Sequence, residues 1–296
     1  MINAVWSFRN CNPKGIQPLD IILPLFSVIM WKRNHNDHKT KVYLDKDYFD
    51  KFVEYDILHF WDTFILLEPI EGVNLEHFWS ISKFEAIGKE NDPFVLIDGD
   101  LIALCNFNEF KFFDYDVSVP LLEETSGTET YAYINPADAA EFGGLSREEF
   151  QWDEFADNMS IVFWNNLDLK KKYLDYARTY LSNVADKEIE FNPLGYLLFI
   201  EQKIFYELTK SLGLNKKYII KDAYKLTEEK PIRAATNGDI PLEDSHLYVI
   251  HYGISKVGLK DKTELKKHLV EYIIPTCGQF FEKYFLEIYN KETNKQ

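Results

Sequence analysis

Residues 93–104 constrain the fold most, because an apolar run there stops at two carboxylates. The run is short, partly β-branched and bounded by turn-forming residues, which is typical of a buried strand. Asp98 and Asp100 stand at its carboxyl end, with Gly99 between them. Open α/β sheets bind ligands outside the carboxyl ends of their strands, and acidic side chains there suit a divalent cation. The stretch therefore predicts a metal site that holds a phosphate, with an acidic hairpin turn as the alternative.

The segments before this stretch alternate between strand and helix patterns. We predict a strand at 4–8, an amphipathic helix at 20–34, a strand at 41–45, a short helix at 47–55 and a strand at 57–60. This order is typical of an α/β layer fold with parallel neighbouring strands. Pro24 is expected in the first turn of its helix, where proline is tolerated. A first strand followed by a loop is a place for a nucleotide, and we expect Trp6 and Asp45 to contribute to its binding.

The later segments continue with helices and strands of mixed character. We predict helices at 75–89, 167–181 and 194–212, strands at 116–122, 128–134, 159–164 and 246–253, an acidic loop or mobile helix at 135–157, and a helix pair at 261–289. There is no internal repeat and no linker rich in Pro, Gly or Ser. One domain over 1–296 is the simplest account, with a nucleotide-binding half at 1–105 and an acceptor half at 106–296.

Composition excludes several classes of partner. The net charge of −15 argues against nucleic acid, because a polyanion is repelled unless a basic patch is segregated. The three cysteines are far apart and form no Cys-x-x-Cys pair, so neither a disulfide framework nor a zinc site is expected, and a reducing cytoplasm fits best. No apolar run is long enough to span a bilayer. Peripheral association with the inner membrane, and the oligomeric state, are left open.

A second set of chemical groups follows another strand. His251 ends the strand at 246–253, and Gly253 and Lys256 come shortly after it. Two carboxylates and one imidazole suit a Mn²⁺ or Mg²⁺ ion that keeps open positions for diphosphate oxygens. A lysine nearby would neutralise the charge that develops as the diphosphate leaves.

These motifs resemble those of a known family of enzymes. The strand ending in Asp-Gly-Asp, with the strands and helices before it, resembles the nucleotide-binding half of a GT-A glycosyltransferase with its Asp-x-Asp motif. Residues 251–256 are similar to the late His motif of glycogenin-like and bacterial lipooligosaccharide galactosyltransferases. The His is one residue closer to the Gly than in that family, and Val257-Gly258 replaces the usual Pro-Trp. A closer resemblance, through Phe-Trp-x-x-Ser-Lys at 78–83, is to uncharacterised glycosyltransferase-like proteins of Bacteroidetes.

The resemblance implies a fold, an activity and a set of site residues. The fold is a mixed central sheet flanked by helices, with further helices at the C-terminus. The activity is metal-dependent transfer of a sugar from a nucleotide-diphosphate sugar to a glycan or other acceptor, in surface polysaccharide synthesis. The implied metal ligands are Asp98, Asp100 and His251, the donor site takes Lys83, Asp98, Gly99, Asn158 and Gly253, and the catalytic group comprises Glu201, Gln202 and Lys256. Whether the anomeric configuration is retained or inverted is left open.

Each of these residues also has a plain structural interpretation. His251 suits an ordinary strand end, Glu201 a solvated helix surface, Lys83 an exposed helix face, and Asn158 a cap or a bridge. The acids Asp153, Glu154 and Asp157 are candidates for an inverting base or for a solvated face.

Two other functions compete with the transferase. One is a catalytically degenerate GT-A-like protein that binds a glycan or a partner. The other is a haloacid-dehalogenase-type phosphatase, in which the first Asp is a nucleophile and the second a general acid. That motif normally lies near the N-terminus, whereas here it is in mid-chain and is followed by Leu101-Ile102.

Overall fold

The first hundred residues build the parallel half of a sheet. In this computed structural model the parallel strands are β1 (Asn3–Phe8), β2 (Lys39–Leu44), β3 (Thr63–Leu66) and β4 (Phe94–Ile97). The helices between them are α1 (Pro18–Asn34), α2 (Lys46–Glu54) and α3 (Ile81–Lys89). The structure describes residues 2–70, 78–103, 106–125, 134–184, 187, 193–220, 249–251, 284, 286–288 and 291.

The second half adds antiparallel strands to the same sheet. After β5 (Leu101–Ala103) come β6 (Val117–Glu124), α4 (Pro136–Phe142), β7 (Phe155–Asp157), β8 (Ile161–Trp164), α5 (Leu167–Val184), α6 (Pro193–Leu198), α7 (Ile204–Ser211), β9 (Lys216–Ile220) and β10 (Val249–His251). Strand β8 runs antiparallel to β4 and to β6. In the described part of the chain the central sheet has eight strands in the order β3-β2-β1-β4-β8-β6-β7, with β9 beside β6, and β5 pairs with β10 separately.

Helices cover both faces of the sheet, and the strands supply a different core to each face. Alternate residues of a strand point to opposite faces. Along β4, Val95 and Ile97 join the core under α1 and α2, whereas Phe94 and Leu96 join the core under α3, α5 and α7. All four side chains are buried, which explains why this run is apolar without alternation. The predicted mixed α/β class, a central sheet flanked by helices, is confirmed.

Three local predictions differ from the structure. Helix α1 begins at Pro18, so Pro24 lies in its interior. Residues 21–28 are all buried, because the helix packs against both the central sheet and β5. The predicted strand at 57–60 is a 3-10 turn at Leu58–Phe60. Asp62 bonds to Thr40, which sets the register and places the strand at Thr63–Leu66 instead.

The third difference concerns the predicted helix at 194–212. It is interrupted by a π-helical turn, Phe199–Lys203, between α6 and α7. The predicted strand at 128–134 and the helix pair at 261–289 lie almost wholly outside the described residues, and the division into two halves stays a prediction. Among the described residues, no helix has both the length and the apolar character needed to cross a bilayer.

Candidate functional site

The Asp98-Gly99-Asp100 segment is both a strand end and a turn. It follows β4 directly, and the N–H of Leu101 donates to the carbonyl of Asp98 at 3.0 Å, which folds the chain back into β5. Because β1 and β2 run parallel to β4, their carboxyl ends reach the same edge of the sheet. The two interpretations of the motif are therefore compatible, and the carboxylates stand where α/β sheets bind ligands.

Gly99 is required by a close approach of the turn to the core. A Cβ at this position would lie 2.3 Å from Cε1 of Phe8 and 3.1 Å from Cγ of Pro24. Real side chains do not tolerate the first distance. The glycine thus lets the turn pack against the end of β1 and against α1, and its predicted contact with a donor stays a prediction.

Lys83 joins two carboxylates from distant parts of the chain. Its Nζ lies 2.7 Å from Oδ1 of Asp98 and forms a second ion pair with Oε1 of Glu201. The side chains of Lys83 and Glu201 are 16% and 6% exposed, so neither is the solvated group that the structural alternative assumed. Burial by itself would lower the pKa of Lys83, but the two carboxylates outweigh it and raise this pKa above its ordinary value.

The π-helical turn supplies Glu201 to this group. The phenol of Tyr173 donates to the backbone carbonyl of Glu201 at 2.9 Å, which holds the turn against α5. Gln202 is the next residue and is half-buried. The acid of the predicted acid-amide pair therefore lies at the strand end that carries Asp98.

Asn158 braces the start of β8. Its Nδ2 donates to Glu123 at 2.7 Å, and its Oδ1 accepts from the N–H and the hydroxyl of Ser160 at 3.0 and 2.5 Å. The carbonyl of Ser160 in turn accepts from the N–H of Asp98 at 2.8 Å. Both ends of the amide are thus engaged, as expected if Asn158 caps or bridges. Contact of Asn158 with a donor sugar stays a prediction.

Strand β10 brings the backbone of His251 next to the acidic turn. In the antiparallel pairing of β10 with β5, His251 lies opposite Leu101, the residue after Asp100. Gly253 and Lys256 lie outside the described residues. Within the described ranges, no group of three or more His, Cys, Asp or Glu side chains is arranged to hold a metal. The ligand set of two carboxylates and one imidazole therefore stays a prediction.

Trp6 and Asp45 form hydrogen bonds that stabilise the fold. Trp6 is fully buried, and its indole N–H donates to the hydroxyl of Ser27 at 2.9 Å. It offers no surface to a nucleotide, and the expectation that it binds one is corrected on this ground. Asp45 caps α2 by accepting from the N–H of Tyr48 at 2.9 Å, and it also accepts from the N–H of Asn10 at 2.7 Å. Burial raises its pKa despite these bonds.

The structure pairs two of the acids that the sequence marked as candidates for an inverting base, Asp153 and Asp157, with lysines that sequence reasoning missed. Asp157 is fully buried, 2.6 Å from Nζ of Lys216, and accepts from the hydroxyl of Tyr218 at 3.0 Å. Burial raises the pKa of Asp157. Its neighbour along the chain, Asp153, is paired with Lys203 and Lys210. The prediction of a solvated face is therefore wrong for Asp157. Lys216 and Tyr218 alternate along β9, so both side chains lie on the same face of the sheet. That spacing indicates a pairing with Asp157 only when β9 is known to lie beside β6.

Comparison with known proteins gives a likeness of fold. No protein-family model matches the chain, and no curated protein matches it either. The apo-form glycosyltransferase GlyE of Streptococcus pneumoniae TIGR4 is 13% identical with a TM-score of 0.46, over 98% of this chain and 63% of that chain. Mouse xyloside xylosyltransferase 1 is 12% identical with a TM-score of 0.44, over 86% and 98%.

A third similar structure is the galactosyltransferase LgtC in complex with donor and acceptor sugar analogues, 10% identical with a TM-score of 0.37, over 68% of this chain and 71% of that chain. The chain spans 63% of the length of the GlyE structure. At these identities the likeness concerns the fold alone. The chain is thus similar in fold to three glycosyltransferase structures, each at a TM-score below 0.5.

Proposed function

We propose that the chain transfers a sugar from a nucleotide-diphosphate sugar to a glycan or another acceptor, with a divalent cation held at the Asp-Gly-Asp turn. One observation carries this proposal. The turn ends β4, the strand next to the parallel β1, and its first carboxylate lies in a largely buried group with Lys83 and Glu201. Buried charges of this kind cluster at functional sites more often than elsewhere.

The chemistry of the side chains at the turn supports a hard divalent cation as part of this proposal. Asp98 and Asp100 provide carboxylate oxygens, which Mg²⁺ and Mn²⁺ prefer, and the register of β10 places the backbone of His251 beside them. Such a cation would supply charge neutralisation for a bound diphosphate. Gly253 and Lys256 follow β10 in the sequence, and we assign them to the same diphosphate.

Each residue around the acidic turn has a role in the proposed site. Lys83 holds Asp98 and Glu201 together and keeps a positive charge between them. Glu201 and Gln202 stand at the edge where a donor sugar would lie, and Asn158 fixes the strand behind Asp98 through Ser160. A surface polysaccharide as the acceptor, and a cytoplasmic site of action at the inner membrane, belong to the same proposal.

The proposal is tested by the melting temperature in the presence of Mn²⁺ with uridine or guanosine diphosphate. A ligand that binds only the folded chain raises the melting temperature. Asp100→Asn should abolish the rise, whereas Asp175→Asn, on the exposed surface of α5, should retain it. If neither nucleotide with Mn²⁺ shifts the melt of the wild type, the transferase proposal is refuted.

A panel of nucleotide sugars then separates the competing functions. Release of nucleoside diphosphate from one donor supports the transferase. Glycan binding that persists in the Asp98→Ala, Asp100→Ala double variant, without release of nucleotide, supports the degenerate binding protein. Hydrolysis of a phosphate monoester with Mg²⁺, indifferent to nucleotide, supports the phosphatase.

A further inference from the structure

The π-helical turn Phe199–Lys203 carries charged side chains on both of its sides. The N–H of Ile204 donates to the carbonyl of Phe199, five residues earlier, and single π turns inside α-helices are frequent at functional sites. Side chains two residues apart on a helix point to nearly opposite sides. Glu201 accordingly reaches Lys83 on one side, while Lys203 reaches a different set of partners on the other.

Lys203 is buried and uses its whole ammonium group. Its side chain is 1% exposed. Its Nζ lies 2.6 Å from the carbonyl oxygen of Asp153, 2.7 Å from that of Phe155, 2.8 Å from Oε1 of Glu207 and 3.2 Å from Oδ1 of Asp153. An ammonium has three N–H donors, and a buried charge is costly unless it is paired in this way. The contacts tie the π-helical turn to the segment that leads into β7.

That segment runs back to the acidic turn. From Asp153 the chain passes through β7 to Asn158 and Ser160, and the carbonyl of Ser160 accepts from the N–H of Asp98 at 2.8 Å. Asp98 pairs with Lys83, and Lys83 pairs with Glu201 on the π-helical turn. The contacts and the covalent chain thus form a closed ring from the π-helical turn through Lys83 and Asp98 to residues 153–160 and back. Lys203 joins the turn to residues 153–160 in this ring.

We infer that Lys203 is a positioning residue of the candidate site. By anchoring the far side of the π-helical turn, it fixes the direction in which Glu201 faces Lys83 and Asp98. Its importance for the donor rests on the proposed function, whereas its effect on the Lys83–Glu201 pair is a property of the chain alone. Removing Lys203 should therefore disturb that pair even in the absence of nucleotide and metal.

The test is the ammonium resonance of Lys83 in protein labelled with ¹⁵N-lysine, assigned by its loss in Lys83→Met. In Lys203→Met we expect this resonance to shift or disappear, and in Lys203→Arg we expect it to return toward its wild-type position. Lys210→Met is the matched control. Lys210 also pairs with Asp153, at 2.6 Å, but it lies on α7 beyond the π-helical turn and its side chain is 45% exposed. Its removal should leave the resonance unchanged.

A cooperative melt of Lys203→Met together with a wild-type Lys83 resonance would overturn the inference, because Lys203 would then stabilise the fold without positioning Glu201. If Lys203→Met does not fold, Asp153→Ala removes one carboxylate partner of Lys203 at a partly exposed site and carries the same expectation. An unchanged resonance in that variant likewise overturns it. Since no ligand is present, failure of wild-type protein to bind nucleotide refutes the proposed function without deciding this result.

Discussion

The substitution Gly99→Ala tests whether the acidic turn depends on its close packing against the core. The new Cβ would lie 2.3 and 2.8 Å from two ring carbons of Phe8. That ring is itself stacked on Tyr48, with centroids 5.4 Å apart, and packs against Phe52. It is 9% exposed, so it has little room to move. Gly99 does not have a positive φ, and the effect is therefore steric.

The expected magnitude follows from two opposing terms. Overpacking a well-filled core costs about 1–3 kcal/mol, and the lower entropy of the unfolded chain with Ala offsets about 0.4–1 kcal/mol. We expect a net loss of roughly 1–2 kcal/mol in the free energy of unfolding, with a displaced Asp98. Gly88→Ala on α3 is the matched control. Its Cβ would be 3.8 Å from Leu174, an ordinary contact, and it should stabilise by about 0.5–1 kcal/mol.

Urea denaturation of the wild type and both variants measures these changes, and the Mn²⁺ and nucleotide melts of the same proteins report the site. The Gly99→Ala protein should show a lower midpoint with an unchanged slope, and a reduced shift of its melting temperature with ligand. A Gly99→Ala protein as stable as the wild type would refute the steric argument. Equal losses in both variants would refute it too.

Acidification should weaken the fold through His35, which is fully buried and accepts from the N–H of Phe107 at 2.9 Å. Burial, and then the nearby His38, lower the pKa of His35 from 6.5 to about 4. Below pH 6.5 the unfolded state therefore binds more protons than the folded state. The free energy of unfolding should fall by about 2 kcal/mol between pH 7 and 5. A flat urea midpoint over that range, or an equal loss in His35→Gln, would contradict this. Asp157→Ala should cost about 3–5 kcal/mol, because it strands the buried Lys216. The Asp157→Ala, Lys216→Met double variant should recover part of this loss in the same assay, and additive losses would show that the two groups do not interact.

The sequence predicted those parts of the fold whose cause is local. The apolar run of β4 ends at Asp98 because four buried residues meet a turn-forming Asp-Gly. The predicted strand at 57–60 was wrong because the position of the strand depends on a contact with a distant residue. Its apolar residues serve a turn, and the strand position is set by the bond of Asp62 to Thr40, a residue of another strand.

Only some residues of the candidate site could be predicted from the sequence. Asp98 and Asp100 carry a motif of their own, and Glu201 was singled out by resemblance. Lys203 has no motif, because its role depends on carbonyl groups of residues 153 and 155 that fold against it. Trp6 was assigned to a nucleotide from its place in the chain, yet alternation along β1 points it into the core under α1.

By itself, then, the sequence determined the α/β class, the strand end with its two carboxylates, and a charge balance that disfavours nucleic acid. Tertiary structure alone decided which charges meet. Lys83 and Glu201 are 118 residues apart, and their pairing depends on α3 and the π-helical turn converging at the end of β4. Such contacts follow from the order and register of strands across the sheet, because neighbours in space there are set by long-range pairing and not by spacing along the chain.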